Sequence, residues 1–522
     1  MAPREKILIL DFGSQYTKLI AKGIRELGAY CEIVPFDLPA RELEGPEVKG
    51  LILSGGPASV YEPGAPRPDR GIWELGLPIL GICYGMQLLA WELGGRVARA
   101  KEREYGPRWL ELLTEDELFA GLERRELVWM SHGDSVVELP EGFIALARTE
   151  AVPYAAIRHR QRPLFGLQFH PEVVHTPKGK KLLENFVFRI CGVRERWDPA
   201  AADHLEQRLA ALRKQLRGIG GCLAAVSGGV DSTTAAVLVH RAIGDRLIPI
   251  FVDTGLMRLG EGDRVRRALE GLGLKVHCVE ASERFFAALR GVTDPEEKRR
   301  RIGRAFIEVF EEEARRLARE HERGCGPIEA LVQGTIYSDV IESAGARGAR
   351  RIKSHHNVGG LPERLNLKLI EPLRDLFKDE VRALARRLGL PDEIIREQPF
   401  PGPGLAVRIL GEVTPERARR LQQADAIFRE EVEWAGLAPK LWQYFAVLLP
   451  HRSVAILGDE RGYGEVVALR AVHSVDGMTA AWFPLPYELL ERVASRITSE
   501  VPGVTRVVYD ITSKPPGTIE WE

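Results

Sequence analysis

The sequence predicts an α/β protein in three parts: two consecutive α/β domains with mostly parallel sheets, followed by a small α+β domain. Three observations predict it. Apolar runs that end in glycine-rich loops and lead into helical stretches occur in two separate series, a motif of alternating Pro and Gly interrupts the second, and the last stretch mixes strands with one helix. In the first series KILILDFG, GLILSGG and PILGICYG, starting at Lys6, Gly50 and Pro78, read as buried strands. The pattern closes over 186–191, and the polar passage GVRERWDPAA puts a boundary near Glu195, giving a domain over 1–195. A helix over 200–217 then opens a second domain, in which CLAAVSGGVDS and RLIPIFVDTG are again strand-to-loop units. That domain spans 196–398. In QPFPGPGLAVR the prolines cannot continue a helix or a central strand, so residues 399–404 form a turn that opens the third domain, 399–522. SVAILGD, EVVALRAV and TRVVYDIT supply its strands and 487–500 its helix.

A chain of 522 residues is too long for one ordinary core, which fits several domains. Its 73 Lys and Arg nearly cancel 74 Asp and Glu. No basic domain stands out, so nucleic acid is not an expected partner. Six cysteines are scattered without a CxxC pair, the usage of a reducing compartment. The first residues run straight into a strand rather than a signal peptide, and no run approaches the roughly 18 apolar residues of a membrane span. The expected location is the cytoplasm, away from any membrane.

The first candidate site is Gly81-Ile82-Cys83-Tyr84-Gly85, between a strand and an apolar helix near 86–93. Small residues on both sides allow a sharp strand-to-helix turn, a nucleophile elbow with Cys in place of Ser. The sulfur then sits at a helix N-terminus, whose dipole favours the thiolate. The Tyr84 N–H and a backbone N–H at Gly56, in SGGP after another strand, would form an oxyanion hole. His170 and Glu172, in QFHPE, share one face of an extended segment. Glu172 can orient the imidazole while His170 takes the thiol proton and later protonates a leaving amine. These features resemble the class I (triad) glutamine amidotransferase family over about the first 190 residues. The resemblance names glutamine as substrate and implies that Gln87 and the segment Ser131, His132, Gly133 and Asp134 line its pocket.

The second candidate site is Ser227-Gly228-Gly229-Val230-Asp231-Ser232, between a strand and a helix over 233–243. Its N–H groups and hydroxyls at a helix N-terminus suit phosphate, and Asp231 can help hold Mg²⁺. It lacks the lysine of a Walker loop, so the grip falls on a departing pyrophosphate. The loop resembles that of the N-type ATP pyrophosphatases, a family with an adenine-nucleotide α-hydrolase-like fold that adenylates a carbonyl oxygen with ATP before a nitrogen nucleophile attacks. That resemblance implies adenosine contacts at Val252 and Asp253 and a pyrophosphate contact at Lys378. It also implies a lid containing Asp339, Glu342, Lys353, His355 and His356.

The acceptor of the nitrogen is indicated by the tail. Residues 511–522, ITSKPPGTIEWE, and QPFPGPGLAVR resemble the GMP synthetase family, and the likeness extends over essentially the whole chain. It implies xanthosine 5′-monophosphate as acceptor and a homodimer built through the third domain. It further implies nucleotide contacts at Arg299, Gly402, Pro403, Gln443, Asp459, Lys514, Thr518, Ile519 and Glu520. Among these, Lys514 offers a charge for phosphate, Thr518 a hydroxyl, and Glu520 acceptors for a base.

Overall fold

The computed structural model describes residues 5–322, 326–344, 367–457, 460–474, 477 and 479–522. The chain divides into two compact units, the first over Met1–Asp198 and the second over Pro199–Val340 and Ala346–Glu522.

The first unit is built on a nine-stranded sheet. Its strands are β1 (Lys6–Asp11), β2 (Tyr30–Pro35), β3 (Val48–Leu53), β4 (Ile79–Ile82), β5 (Arg96–Leu112), β6 (Arg125–Glu138), β7 (Phe143–Arg148), β8 (Ala156–His159) and β9 (Leu164–Leu167), in the order β2-β1-β3-β4-β9-β8-β7-β5-β6. Parallel pairing runs from β2 through β9. β4 and β9 are buried along their whole length, which is why both are unbroken apolar runs. From β9 to β6 the pairing turns antiparallel, so the sheet is parallel in one half only. β6 alternates buried with partly exposed residues, the pattern of a strand covered on one face. Sequence reasoning assigned no strands to this half, because charged residues interrupt its apolar ones.

The second unit carries two sheets. β10 (Gly221–Ala225), β11 (Leu247–Asp253), β12 (His277–Glu280), β13 (Ile328–Val332) and β14 (Lys368–Ile370) form a parallel sheet in the order β12-β11-β10-β13-β14. The chain steps outward from β10 to β12, then crosses back to β13 on the other side of β10. That reversal makes the carboxyl end of β10 a topological switch point, where α/β sheets open a crevice for ligands. The other sheet is a long antiparallel hairpin of β15 (Gln443–Leu457) and β16 (Glu460–His473), with β17 (Ala481–Trp482) and β18 (Val504–Tyr509) along the far side of β16.

Helices Pro415–Trp434 and Tyr487–Glu500 cover the second sheet. The first of them starts where Thr414 accepts the Arg417 N–H and Pro415 takes a position that needs no donor. Helix 487–500 has the limits expected from sequence, whereas the helix expected over 200–217 is shorter, Ala202–Gln215. One apolar core runs from Leu223 and Ile250 through Leu405 and Ile409 to Leu448, Val467 and Val493, so it crosses the turn at 399–404 without a break. Among the described residues no helix is long and apolar enough to cross a membrane.

Candidate active sites

Cys83 joins β4 to the helix Tyr84–Glu92, with φ 52° and ψ −105°. Among the described residues it is the one non-glycine with positive φ, a strained conformation that clusters at functional sites. The glycines around it are there for space. A Cβ on Gly81 would lie 2.5 Å from the Gly85 backbone, and one on Gly85 would lie 2.3 Å from the Leu53 carbonyl. The flanking amides are committed to the scaffold: Cys83 N–H donates to Leu167 and Gly85 N–H to Ser54. Tyr84 and Gly56 sit side by side, since a Cβ on Gly56 would come within 3.4 Å of the Tyr84 ring. The Tyr84 ring itself is buried, its hydroxyl donating to Pro66.

His170 is buried and its Nδ1 lies 2.7 Å from Glu172 Oε1, so Nδ1–H donates to the carboxylate and Nε2 is left for chemistry. Burial works to lower the imidazole pKa, but the Glu172 carboxylate and the Cys83 sulfur outweigh it and hold His170 well above an ordinary histidine. An imidazolium facing the sulfur is an acid. In that charged form His170 holds a proton beside the sulfur, where a leaving amine would need one. Because the folded pKa is raised, the stability gained by charging His170 is fully present below about pH 6.5 and is lost as pH rises through the folded value. Glu172→Gln should shrink that gain and bring the His170 titration, followed by NMR, down toward the ordinary range. An unmoved titration would assign the effect to Cys83 instead.

A cavity of about 680 Å³ opens over this centre, lined by Gly56, Cys83, Gln87, His170 and the segment 131–134 together with Ser14, Tyr16, Ser59 and Tyr61. All the residues expected around the first site thus meet in one place, with two differences of detail. The Asp134 carboxylate accepts from Ser59 Oγ at 2.5 Å and Tyr61 OH at 3.0 Å, and the Gln87 amide donates to the Asp134 carbonyl at 2.9 Å. Both side chains are engaged within the wall. Behind the wall is a group that sequence reasoning missed. Glu104, 2% exposed, accepts from Thr149 Oγ1 and lies 3.5 Å from His132 Nε2, while His132 Nδ1 meets the Asp134 carbonyl. The register of β5 against β6 slips between Arg99 and Glu104, and this slip is what turns Glu104 toward His132. No motif announces it.

In the second unit the loop after β10 is closed on itself: the Ser227 N–H donates to Ser232 Oγ at 3.2 Å, and Ser232 Oγ to the Gly229 carbonyl. Gly228 has φ 87°, and a Cβ there would stand 2.4 Å from Val265. The helix Val230–Ile243 begins three residues sooner than expected, so Asp231 and Ser232 lie in its first turn, where the dipole is positive. Lys378, at the start of the helix Lys378–Arg387, donates to Asp231 Oδ2 at 2.6 Å. Asp231 Oδ1 is buried without a partner among the described residues. Val252 and Asp253 end β11, and Asp253 Oδ1 accepts the Gly255 N–H. Of the expected lid, residues 345–366, with Lys353, His355 and His356, lie outside the described residues, as does Asp459.

The tail is held by buried cations that sequence reasoning also missed. Arg408, wholly buried at the end of QPFPGPGLAVR, donates to both Glu520 oxygens at 3.0 and 2.8 Å and stacks on Phe445. Gln443 donates to Glu520 at 3.3 Å and to the Pro399 carbonyl at 2.8 Å. A carboxylate has about four lone-pair positions, and Arg408 and Gln443 take up roughly three of those of Glu520. Arg470, 1% exposed, donates to the carbonyls of Thr512, Thr518 and Ile519. Thr518 Oγ1 turns back to the Glu520 carbonyl. Arg299 donates to the Glu522 carbonyl, and Lys514 Nζ to that of Gly477 at 2.9 Å. Gly402 and Pro403 precede the tight turn Gly404–Arg408, in which a Cβ on Gly404 would meet the Leu256 carbonyl at 2.4 Å. Arg408→Met should cost about 3 kcal/mol in urea unfolding and speed hydrogen exchange over 510–522. A stability loss with unchanged exchange in the tail would make Arg408 a packing residue only.

Comparison with known proteins bears on both units. Residues 8–190 match the glutamine amidotransferase class-I family, and 430–521 match the GMP synthase C-terminal domain. Over 519 residues the chain is 54% identical to a glutamine-hydrolysing GMP synthase of Aquifex aeolicus, covering 99% of this chain and 100% of that one. This chain belongs to the glutamine-hydrolysing GMP synthase family. Other members are a Thermomicrobium roseum GMP synthase, 56% identical over 99% of this chain and 97% of its own, and a Symbiobacterium thermophilum one, 56% identical over 99% of each. Membership in the GMP synthase family joins the two sites in one enzyme, since the elbow and the phosphate loop lie in separate units of a single chain.

Proposed function

We propose that this chain makes GMP from xanthosine 5′-monophosphate, ATP and glutamine, with residues 1–195 as amidotransferase, 196–398 as ATP pyrophosphatase and 399–522 as nucleotide-binding and dimerisation domain. The observation that carries the proposal is Cys83 in a strained elbow beside a His170–Glu172 pair, in a chain whose full length aligns with GMP synthases.

The Cys83 sulfur attacks the carboxamide carbon of glutamine, and charge developing on its oxygen meets the N–H groups of Gly56 and Tyr84. His170 protonates the departing nitrogen, releasing ammonia and leaving a glutamyl thioester that water hydrolyses to glutamate. In the second unit the loop from Ser227 to Ser232 and Lys378 hold the phosphates of ATP. The C2 oxygen of xanthosine monophosphate attacks the α-phosphorus and pyrophosphate departs. Ammonia then adds to the adenylated C2 and AMP leaves, giving GMP. Mg²⁺ fits this site to a limited extent: Asp231 Oδ1 is a buried oxygen without a partner, and among the described residues no group of three or more His, Cys, Asp or Glu side chains could hold an ion. Asp231 would supply one ligand and phosphate oxygens and water the rest, the ion neutralising phosphate charge. Arg299, Gln443, Lys514, Thr518 and Glu520 recognise the nucleotide, and Val252 and Asp253 the adenosine.

The exposed apolar residues Val454, Ile456 and Tyr463 at the end of the β15–β16 hairpin support a homodimer, since Val454 pairs across the strands with Tyr463 and Ile456 is 80% exposed. The decisive experiment is product analysis of the purified chain with xanthosine monophosphate, ATP, Mg²⁺ and glutamine. GMP, AMP, pyrophosphate and glutamate in equal amounts are expected. Glutamate without GMP would sink the proposal.

A further inference from the structure

The Cys83 sulfur has a neighbour that the triad leaves unused. Gln168 directly follows β9 and stands two residues before His170, where the chain bends, and both it and Phe169 are buried. Gln168 is 0% exposed, and its Nε2 lies 3.8 Å from Cys83 Sγ. That orientation is forced by a chain of buried amides. The Asp134 carbonyl can only accept, so the group facing it at 2.9 Å must be the nitrogen end of Gln87. The same nitrogen donates its other proton to Gln168 Oε1 at 3.3 Å. Gln168 therefore presents oxygen to Gln87 and nitrogen to the sulfur. Were it flipped, two NH₂ groups would face each other in a buried site and an oxygen would face Sγ, both unfavourable.

On another side of the sulfur stands the Ser131 carbonyl, also at 3.8 Å. The two contacts respond oppositely to charge. A carbonyl accepts from a thiol and repels a thiolate, whereas an amide N–H gains strength as the sulfur becomes negative. His170, paired with Glu172, is the charged group next to the sulfur, and the Tyr16 ring packs edge-on against His170 at 5.1 Å. The cavity wall adds Glu62, Arg99, His132 and Asp134.

We propose that Gln168 is a further catalytic residue of the glutaminase centre, its amide donating to the Cys83 sulfur whenever that sulfur carries negative charge, and that Gln87 is a positioning residue acting through it. The inference rests on Cys83 being the nucleophile. Its largest consequence falls in the second half of the reaction. When water attacks the glutamyl thioester, the water proton passes to His170, the C–S bond breaks and its electron pair returns to sulfur. Gln168 meets that pair as it arrives, so deacylation gains more than acylation. Gln87 thus braces Gln168 through its nitrogen while it also lines the pocket.

Gln168→Leu is expected to lower the glutaminase kcat about tenfold with little change in KM for glutamine. It should raise the fraction of chain trapped as glutamyl thioester, seen as added mass on the acid-quenched protein, and slow iodoacetamide alkylation of Cys83 at neutral pH about tenfold. Gln168→Glu keeps the shape and the Gln87 bond but turns an oxygen to the sulfur, so it should slow alkylation at least as much even if the leucine variant folds poorly. Gln87→Leu should follow Gln168→Leu in alkylation and thioester build-up, and the double variant should be no worse than Gln168→Leu alone. Unchanged alkylation and thioester levels in both Gln168 variants would overturn the proposal. So would parent-like alkylation and thioester levels in Gln87→Leu, which would leave Gln87 no part in holding Gln168. Loss of the underlying assignment is recognised separately, by glutamine-dependent synthesis surviving Cys83→Ala.

Discussion

Cys83→Ala should lower glutamine-dependent synthesis about 10⁴-fold or more while synthesis from ammonium salts stays within about twofold of the parent, measured as GMP formed at saturating ATP and xanthosine monophosphate. Removing the nucleophile of a hydrolytic triad costs that much because no other group can take its covalent step. The second figure follows from the division of the chain, since Cys83 and the elbow lie wholly in the first unit and the phosphate loop in the second. The variant should also fold, since Ala removes only the sulfur from a site where Gly81 and Gly85 provide the turn. Equal loss with both nitrogen sources would refute two separate sites.

The second large effect belongs to the Asp231–Lys378 pair. Asp231→Ala and Lys378→Ala should each cut conversion of ATP to AMP about 10²–10³-fold with either nitrogen source, the usual size for one preorganised electrostatic contact to a reacting centre. Stability should hardly move, because the Lys378 side chain is 40% and that of Asp231 26% exposed, and ion pairs so placed contribute about 0–1 kcal/mol. The same weakness would let the pair part easily for the phosphates proposed to bind there. Pyrophosphate release at the parent rate in Asp231→Ala would mean the loop from Ser227 to Ser232 grips something else. A large loss of stability would recast the pair as structural.

Much of both sites was legible because their parts are neighbours along the chain. Gly81, Cys83 and Gly85 make an elbow only in that order, and the turn they form is local. His170 and Glu172 meet as near neighbours, though across a turn at 171–172 rather than along the extended segment expected, and SGGVDS joins a strand to a helix within a few residues. Residues whose role depends on register or on a distant partner were not legible. Glu104 meets His132 through a slip in the β5–β6 ladder, and Arg408 reaches Glu520 across more than a hundred residues. Arg408, Arg470 and Lys298 are likewise buried through distant partners, each held by an acceptor that the tail supplies.

The sequence by itself determined the α/β class, the tight turn at Cys83 and the glycine-rich loop from Ser227 to Ser232, because glycine spacing and the alternation of strands constrain backbone directly. Tertiary structure decided the antiparallel half of the first sheet and the direction in which the Gln87 and Gln168 amides point. It also decided that the core runs unbroken across 399–404 and that the tail is pinned by buried arginines. These depend on which donors and acceptors meet once water is excluded, and an unpaired polar group is costly only there.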